Sequence, residues 1–231
     1  MVALTTSLAG RVRNTNLPKS HSLLPLLEAV VNGLQAIDAR FGDETGQGSL
    51  RVTIERSGQE EFDFEPVGPG RAALKPITGF VIEDNGVGFT PDNMDSFETL
   101  DSDYKANLGC RGVGRLLWLK AFDKVSVGSA YSAEGGQLRT RQFRFSIAGE
   151  VEYTEAPDNF SETGTAIHLD GFKEPFQRSA PKTADAIARE VFEHCIWYFL
   201  RPGGPPDVTI VDEEVVSLNQ LMEEFVFSEL P

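Results

Sequence analysis

The sequence predicts an α+β fold: a two-layer sandwich in which helices segregate to one face of a mostly antiparallel sheet. Three observations carry this expectation. Leu23, Leu27, Val30, Leu34 and Ile37 recur at helical spacing within LLPLLEAVVNGLQAIDARF. Between Val125 and Leu169, short alternating segments follow one another across polar or glycine turns, the pattern of antiparallel strands. From Ala184 to Phe199 the apolar residues keep an i, i+3, i+4, i+7 rhythm that needs a sheet to pack on.

In chain order, a polar arm leads to the first helix, with Ser20 or Ser22 as its cap and Pro25 in its first turn, where proline is tolerated. Leu50 to Arg56 alternates as a strand and Ile77 to Glu83 reads as its neighbour, separated by a Gly-, Pro- and acid-rich surface insertion. Beyond Phe89 the chain is acidic and patchily apolar, the composition of a mobile segment with one helical turn, before the apolar helix RLLWLKAF. Val125–Ala130, a Gly135-Gly136 turn, Arg139–Ile147, Glu150–Thr154 and Thr163–Leu169 then form a meander. Thr183 opens the second long helix, which ends before Pro202, and Val208–Val211 adds a strand. Val215–Phe227 reads as a helix.

Composition narrows the function classes. The 231 residues carry 21 Lys and Arg against 35 Asp and Glu, a net charge of −14 that opposes general adhesion to nucleic acid or an anionic membrane. Cys110 and Cys195 belong to no CxxC or Cys/His cluster, so neither a disulfide framework nor a zinc site is expected. The unclustered cysteines make a reducing cytoplasm the default; the amino terminus has no signal-peptide core and no run reaches the ~18 apolar residues of a membrane span, which points to a soluble protein. The sequence ends just after an apolar helical pattern, as the amino-terminal domain of a longer protein would. His21, His168 and His194 are scattered and read as structural or surface residues.

Four motifs stand out. On the first helix Glu28, Asn32 and Gln35 sit at i, i+4 and i+7 and form a polar stripe bordered by Leu24, Ala29, Val31 and Ala36. The segment FVIEDNGVGF runs from a strand into Asp84, Gly86 and Gly88: either an Asn-Gly turn or a ligand edge where glycines admit close approach. Gly109, Gly112 and Gly114 lead directly into a helix, an arrangement that offers backbone N–H groups to an anion. It lacks the leading strand of a dinucleotide fingerprint and the Gly-Lys-Ser/Thr of a P-loop. Gly164-Thr165 opens a late strand.

In this order, the four motifs resemble the nucleotide-binding boxes of the GHKL superfamily, whose shared architecture is the Bergerat fold. The resemblance spans the whole chain and extends to the ninety-kilodalton heat-shock chaperone, MutL and MORC-like ATPases, the chaperone and MORC-like ATPases being nearest in pattern. It implies one nucleotide-binding domain over residues 1–231, with ATP and Mg²⁺ as cofactors. Glu28 would be the general base polarising the attacking water, and Asn32 would bind Mg²⁺. Asp84 would accept a hydrogen bond from the adenine amine, assisted by Thr165 through a water, with Gly86 and Gly88 lying against the base. Gly109, Gly112, Val113 and Gly114 would wrap the phosphates, with Lys105 and Arg111 as further phosphate contacts and residues 92–114 as the lid. The implied activity is slow Mg-dependent ATP hydrolysis, with lid closure driving self-association or movement of downstream domains. Relatives tend to carry Asp after the Asn where this chain has Gln35, with Asp38 further on. A histidine kinase catalytic domain is an alternative, opposed by Glu28 and by the short amino-terminal arm; a nucleotide-sensing module without turnover is another.

Overall fold

The computed structural model describes residues 7–58, 74–99, 114–148, 151–154 and 160–229. Among these residues the chain is mixed α/β, with seven α-helices and one eight-stranded, mostly antiparallel sheet. The helices are α1 (Leu8–Asn14), α2 (Leu24–Phe41), α3 (Pro91–Glu98), α4 (Gly114–Ala121), α5 (Glu174–Gln177), α6 (Ala184–Phe199) and α7 (Leu218–Glu229). The strands are β1 (Ser49–Arg56), β2 (Ile77–Asp84), β3 (Phe122–Ser132), β4 (Leu138–Phe145), β5 (Val151–Thr154), β6 (Gly164–Phe172), β7 (Asp207–Val211) and β8 (Val215–Ser217). No helix among the described residues is long and apolar enough to cross a membrane.

The sheet order is β5-β4-β3-β6-β2-β1-β7-β8. Period-2 alternation gives it one dry face: Leu50, Val52, Phe80, Ile82, Val125, Val127, Ile167, Leu169, Val208 and Ile210 are buried. The intervening Arg51, Thr53, Glu83, Ser126 and His168 are exposed or half-buried on the other face. Helices α2, α4, α6 and α7 contact the sheet, and their apolar stripes share one core with its dry face. Burial of Val30, Leu34 and Ile37 on α2 removes each from water, worth about 1.5–3 kcal/mol per side chain. The Trp118 indole N–H donates to the Pro25 carbonyl oxygen at 3.0 Å, tying α4 to the first turn of α2.

Several local expectations are corrected. The polar arm contains α1, capped by Ser7, whose Oγ accepts from the Gly10 N–H at 3.4 Å. Val12 buries its side chain, and the Lys120 ammonium reaches the Arg13 carbonyl at 2.8 Å, which docks α1 on α4. Neither Ser20 nor Ser22 caps α2. Its N-cap is Leu23, because a 3₁₀ turn at Lys19–His21 runs straight into the helix and buries Ser22. Two turns of helix, α3, replace the single turn expected after Phe89: Thr90 caps it and Met94 and Phe97 are buried. Strands β3 to β5 do form a meander, but β6 leaves it and inserts between β3 and β2. There its inward residues meet apolar partners on both sides, Ile167 against Val127 and Ile82 and Leu169 against Val125 and Phe80, whereas β5 presents the exposed Glu152 and Tyr153. Val215–Ser217 is strand, not helix; it pairs antiparallel with β7, and α7 begins at Leu218.

Candidate functional site

Among the described residues, Glu28 and Asn32 lie on α2, and Asp84, Gly86 and Gly114 pack against it. Its buried stripe faces the core, and the turns opposite β2 approach the chain closely through small residues. Gly33 is buried against Asp84: a Cβ there would stand 3.4 Å from both Asp84 Cβ and Oδ2. One turn on, Ala36 lies against Gly86, where an added Cβ would come within 2.5 Å of the Ala36 backbone carbon and Cβ. The Val87 N–H donates to the Ala36 carbonyl at 3.1 Å, so the loop after β2 rests directly on the helix.

Asp84 ends β2 half-buried, and its Oδ1 accepts from the Gly86 N–H at 2.8 Å. That bond turns the chain away from the strand without a hairpin, since the loop continues into α3. Asn85 is a structural brace: its Oδ1 accepts from Ser49 N–H at 2.8 Å and its amide donates to the Gln47 carbonyl at 3.2 Å. Gly88 has φ +75°, and a Cβ on it would stand 2.0 Å from the Ala130 carbonyl oxygen. Both glycines are therefore required by contacts inside the protein, with α2 and β3.

Thr165 is buried and is the cross-strand partner of Asp84. Its Oγ1 lies 3.3 Å from Ser129 Oγ. Ser129 gives its proton to the Gly164 carbonyl at 2.8 Å and accepts from the Phe89 N–H at 2.8 Å. Thr165 is then the donor toward Ser129, which leaves its lone pairs to accept from elsewhere. Ser129 is a site residue that sequence reasoning missed. The signal was a polar residue at an inward-facing position of an apolar strand, in phase with Val125 and Val127.

Glu28 and Asn32, both half-buried, lie on the same helix as Gly33 and Ala36. Gly114, the first residue of α4, packs on the Glu28 carboxylate: a Cβ on Gly114 would stand 2.5 Å from Glu28 Oε2. Burial raises the Glu28 pKa above the ordinary carboxylate value. Among the described residues neither Glu28 nor Asn32 makes a side-chain hydrogen bond. Gln35 departs from the expected stripe. It is buried and hydrogen-bonded with the Tyr198 hydroxyl on α6, and Asp38 pairs with Arg201, so this part of the stripe is a helix–helix contact.

Lys105, Gly109, Arg111, Gly112 and Val113 lie outside the described residues, as does Cys110. Of the stretch expected to be a lid, residues 92–99 belong largely to α3, which is held down. Phe97 packs edge-on to Phe89 and Phe145, and the Arg115 guanidinium donates to the Ser96 and Thr99 carbonyls at 3.1 and 2.6 Å. Cys195 is buried in the core with its thiol pKa pushed up to about 12, which removes it as a nucleophile at neutral pH. No group of three or more His, Cys, Asp or Glu side chains placed to hold a metal ion stands among the described residues.

No family model matches the chain, and a search of curated proteins finds no similar sequence.

Proposed function

We propose that this chain is a GHKL-type ATP-binding domain with the Bergerat fold, and that it hydrolyses ATP slowly with Mg²⁺. The observation that supports this best is the convergence of separated motifs on one helix. Glu28 meets the start of α4, Asp84 meets Gly33, and Thr165 stands opposite Asp84 in the sheet. Two carboxylates set apart along one helix, Glu28 on it and Asp84 against it, suit a ligand with a hydrogen-bond donor at one end and a hydrolysable group at the other.

In this reading Asp84 selects adenine by accepting from its exocyclic amine, with the carboxylate oriented by the Gly86 N–H. Glu28 holds the attacking water and takes its proton. A base whose pKa is raised by burial accepts a proton more readily, and positioned bases of this kind are worth ~10² to 10⁴ in rate. Asn32, one turn along α2 from Glu28, lies on the same face of the helix, and among the described residues its side chain makes no hydrogen bond. A single amide suits Mg²⁺, which keeps few protein ligands and shares the rest of its shell with water and phosphate. When bound, the ion would be held by Asn32 and would offset the charge of the phosphates. The N-terminus of α4 beside Glu28 would add its positive dipole end near the same phosphates. Closure of a glycine-rich lid, self-association and control of downstream domains are carried by the resemblance in sequence alone.

The test is phosphate release from ATP and Mg²⁺ by the wild type and Glu28→Ala. The variant is expected to keep ATP binding and to lose hydrolysis by at least about 10²-fold. Normal turnover in Glu28→Ala would refute the assignment of the base. Transfer of the phosphoryl group to a histidine instead of water would move the protein to the kinase class.

A further inference from the structure

We propose that Arg40 is a positioning residue that fixes the separation of Asp84 and Thr165 and thereby sets the adenine selectivity of the site, an inference that rests on the nucleotide reading above. Arg40 lies in the last turn of α2. Its Nη1 donates to the carbonyl oxygens of Asn85 at 2.6 Å and Thr163 at 3.0 Å, and its Nη2 to Glu162 Oε2 at 2.8 Å. Asn85 directly follows Asp84, and Thr163 stands two residues before Thr165. One guanidinium thus grips the chain just after one selecting residue and just before the other.

The place it grips is the end of a ladder. Pairing of β2 with β6 stops at Asp84 and Thr165, and strand ends fray most readily. The two segments touch there through Gly164, where a Cβ would stand 2.3 Å from the Asp84 carbonyl oxygen and 3.3 Å from Asn85 Cα. Such a contact has no side chain of its own to hold it: Ser129 ties Gly164 to β3 and Ser49 ties Asn85 to β1, and the Arg40 guanidinium on α2 joins the two segments to each other. Arginine is needed because its planar fork directs several N–H groups at once, which a lysine ammonium on a flexible stem does not do. The Glu162 carboxylate is 57% exposed, so that ion pair contributes little binding energy and chiefly orients the fork.

Selectivity follows from fixed placement. A carboxylate held in position accepts from the adenine amine and is left facing the carbonyl oxygen that guanine presents at the same place, a mismatch that costs affinity only if the acceptor cannot move away. Loosening the clamp should weaken ATP while relieving part of the mismatch with guanine, so that GTP does not weaken in step and the preference for ATP falls.

The experiment uses the full chain, with Arg40→Ala and Arg40→Lys compared with wild type. Amide hydrogen exchange is measured without nucleotide, and equilibrium binding with ATP and GTP. In both variants exchange should quicken at residues 85–87 and 163–165, while the ATP dissociation constant rises about tenfold and that of GTP changes less than about twofold. Arg40→Lys keeps charge and bulk, so the result does not hang on the folding of the alanine variant. Unchanged exchange overturns the clamp. Equal weakening of both nucleotides, in step with a fall in melting temperature, overturns the positioning role and leaves a structural one. A wild type that binds neither nucleotide while the exchange changes persist overturns the nucleotide reading and the selectivity role with it, and keeps the contact as a structural brace.

Discussion

Glu28 sits where its charge is costly. Its pKa is raised by burial, so the folded protein binds this proton more tightly than the unfolded chain does. The stability penalty is absent below the unfolded pKa of about 4.5, grows as the pH rises through the raised folded value, and is complete above it. Glu28→Gln should therefore melt at a higher temperature than wild type at pH 7, with the difference vanishing as the pH falls below that window. The same titration predicts that hydrolysis declines on acidification through the raised pKa of Glu28, measured as a pH–rate profile. Gly88 makes the opposite kind of demand. Gly88→Ala adds strain at φ +75° and a Cβ 2.0 Å from the Ala130 oxygen, and should cost about 2–5 kcal/mol in denaturant unfolding.

At the scale of elements, α2 organises the molecule: one stripe enters the core, another meets Asp84 and Gly86, and its end carries Arg40. The core stripe and the positions of Glu28 and Asn32 were legible in the sequence because helical periodicity is local. The fate of Gln35 was not, since spacing alone gives no hint that α6 would approach and claim its amide through Tyr198. Ser129 and Arg40 were hidden for a related reason: their partners lie on strands and loops far along the chain. A second element-scale brace is Arg56, at the end of β1. Its guanidinium forks onto Asp212 at 2.9 and 2.7 Å and also reaches the Lys182 carbonyl at 2.8 Å. Hydrogen bonding with Arg56 holds the Asp212 pKa below its ordinary value, so this contribution is present above the unfolded pKa near 3.8 and lost as the pH falls through the folded one. Asp212→Ala should destabilise by about 1–3 kcal/mol at pH 7 and by less in acid, measured by urea unfolding.

For the whole molecule, fold class was readable because alternation in the strands and periodicity in α2 and α6 agree on a single dry face. Strand order was less readable. The place of β6 between β3 and β2 is decided by which apolar rows meet, Phe80 with Leu169 and Ile82 with Ile167, a long-range match that adjacent sequence does not encode. That insertion matters for the proposed site, because it is what sets Thr165 opposite Asp84. The proposal thus stands on tertiary placement: a carboxylate at the end of β2 packed on α2, a hydroxyl on β6 paired opposite it, and a half-buried carboxylate on α2 beside the start of α4. Isothermal titration of ATP and Mg²⁺ into wild type, Glu28→Ala and Asp84→Asn tests it most directly. The account predicts binding by wild type and Glu28→Ala and none by Asp84→Asn; a silent wild type, or equal binding by all three proteins, would contradict it.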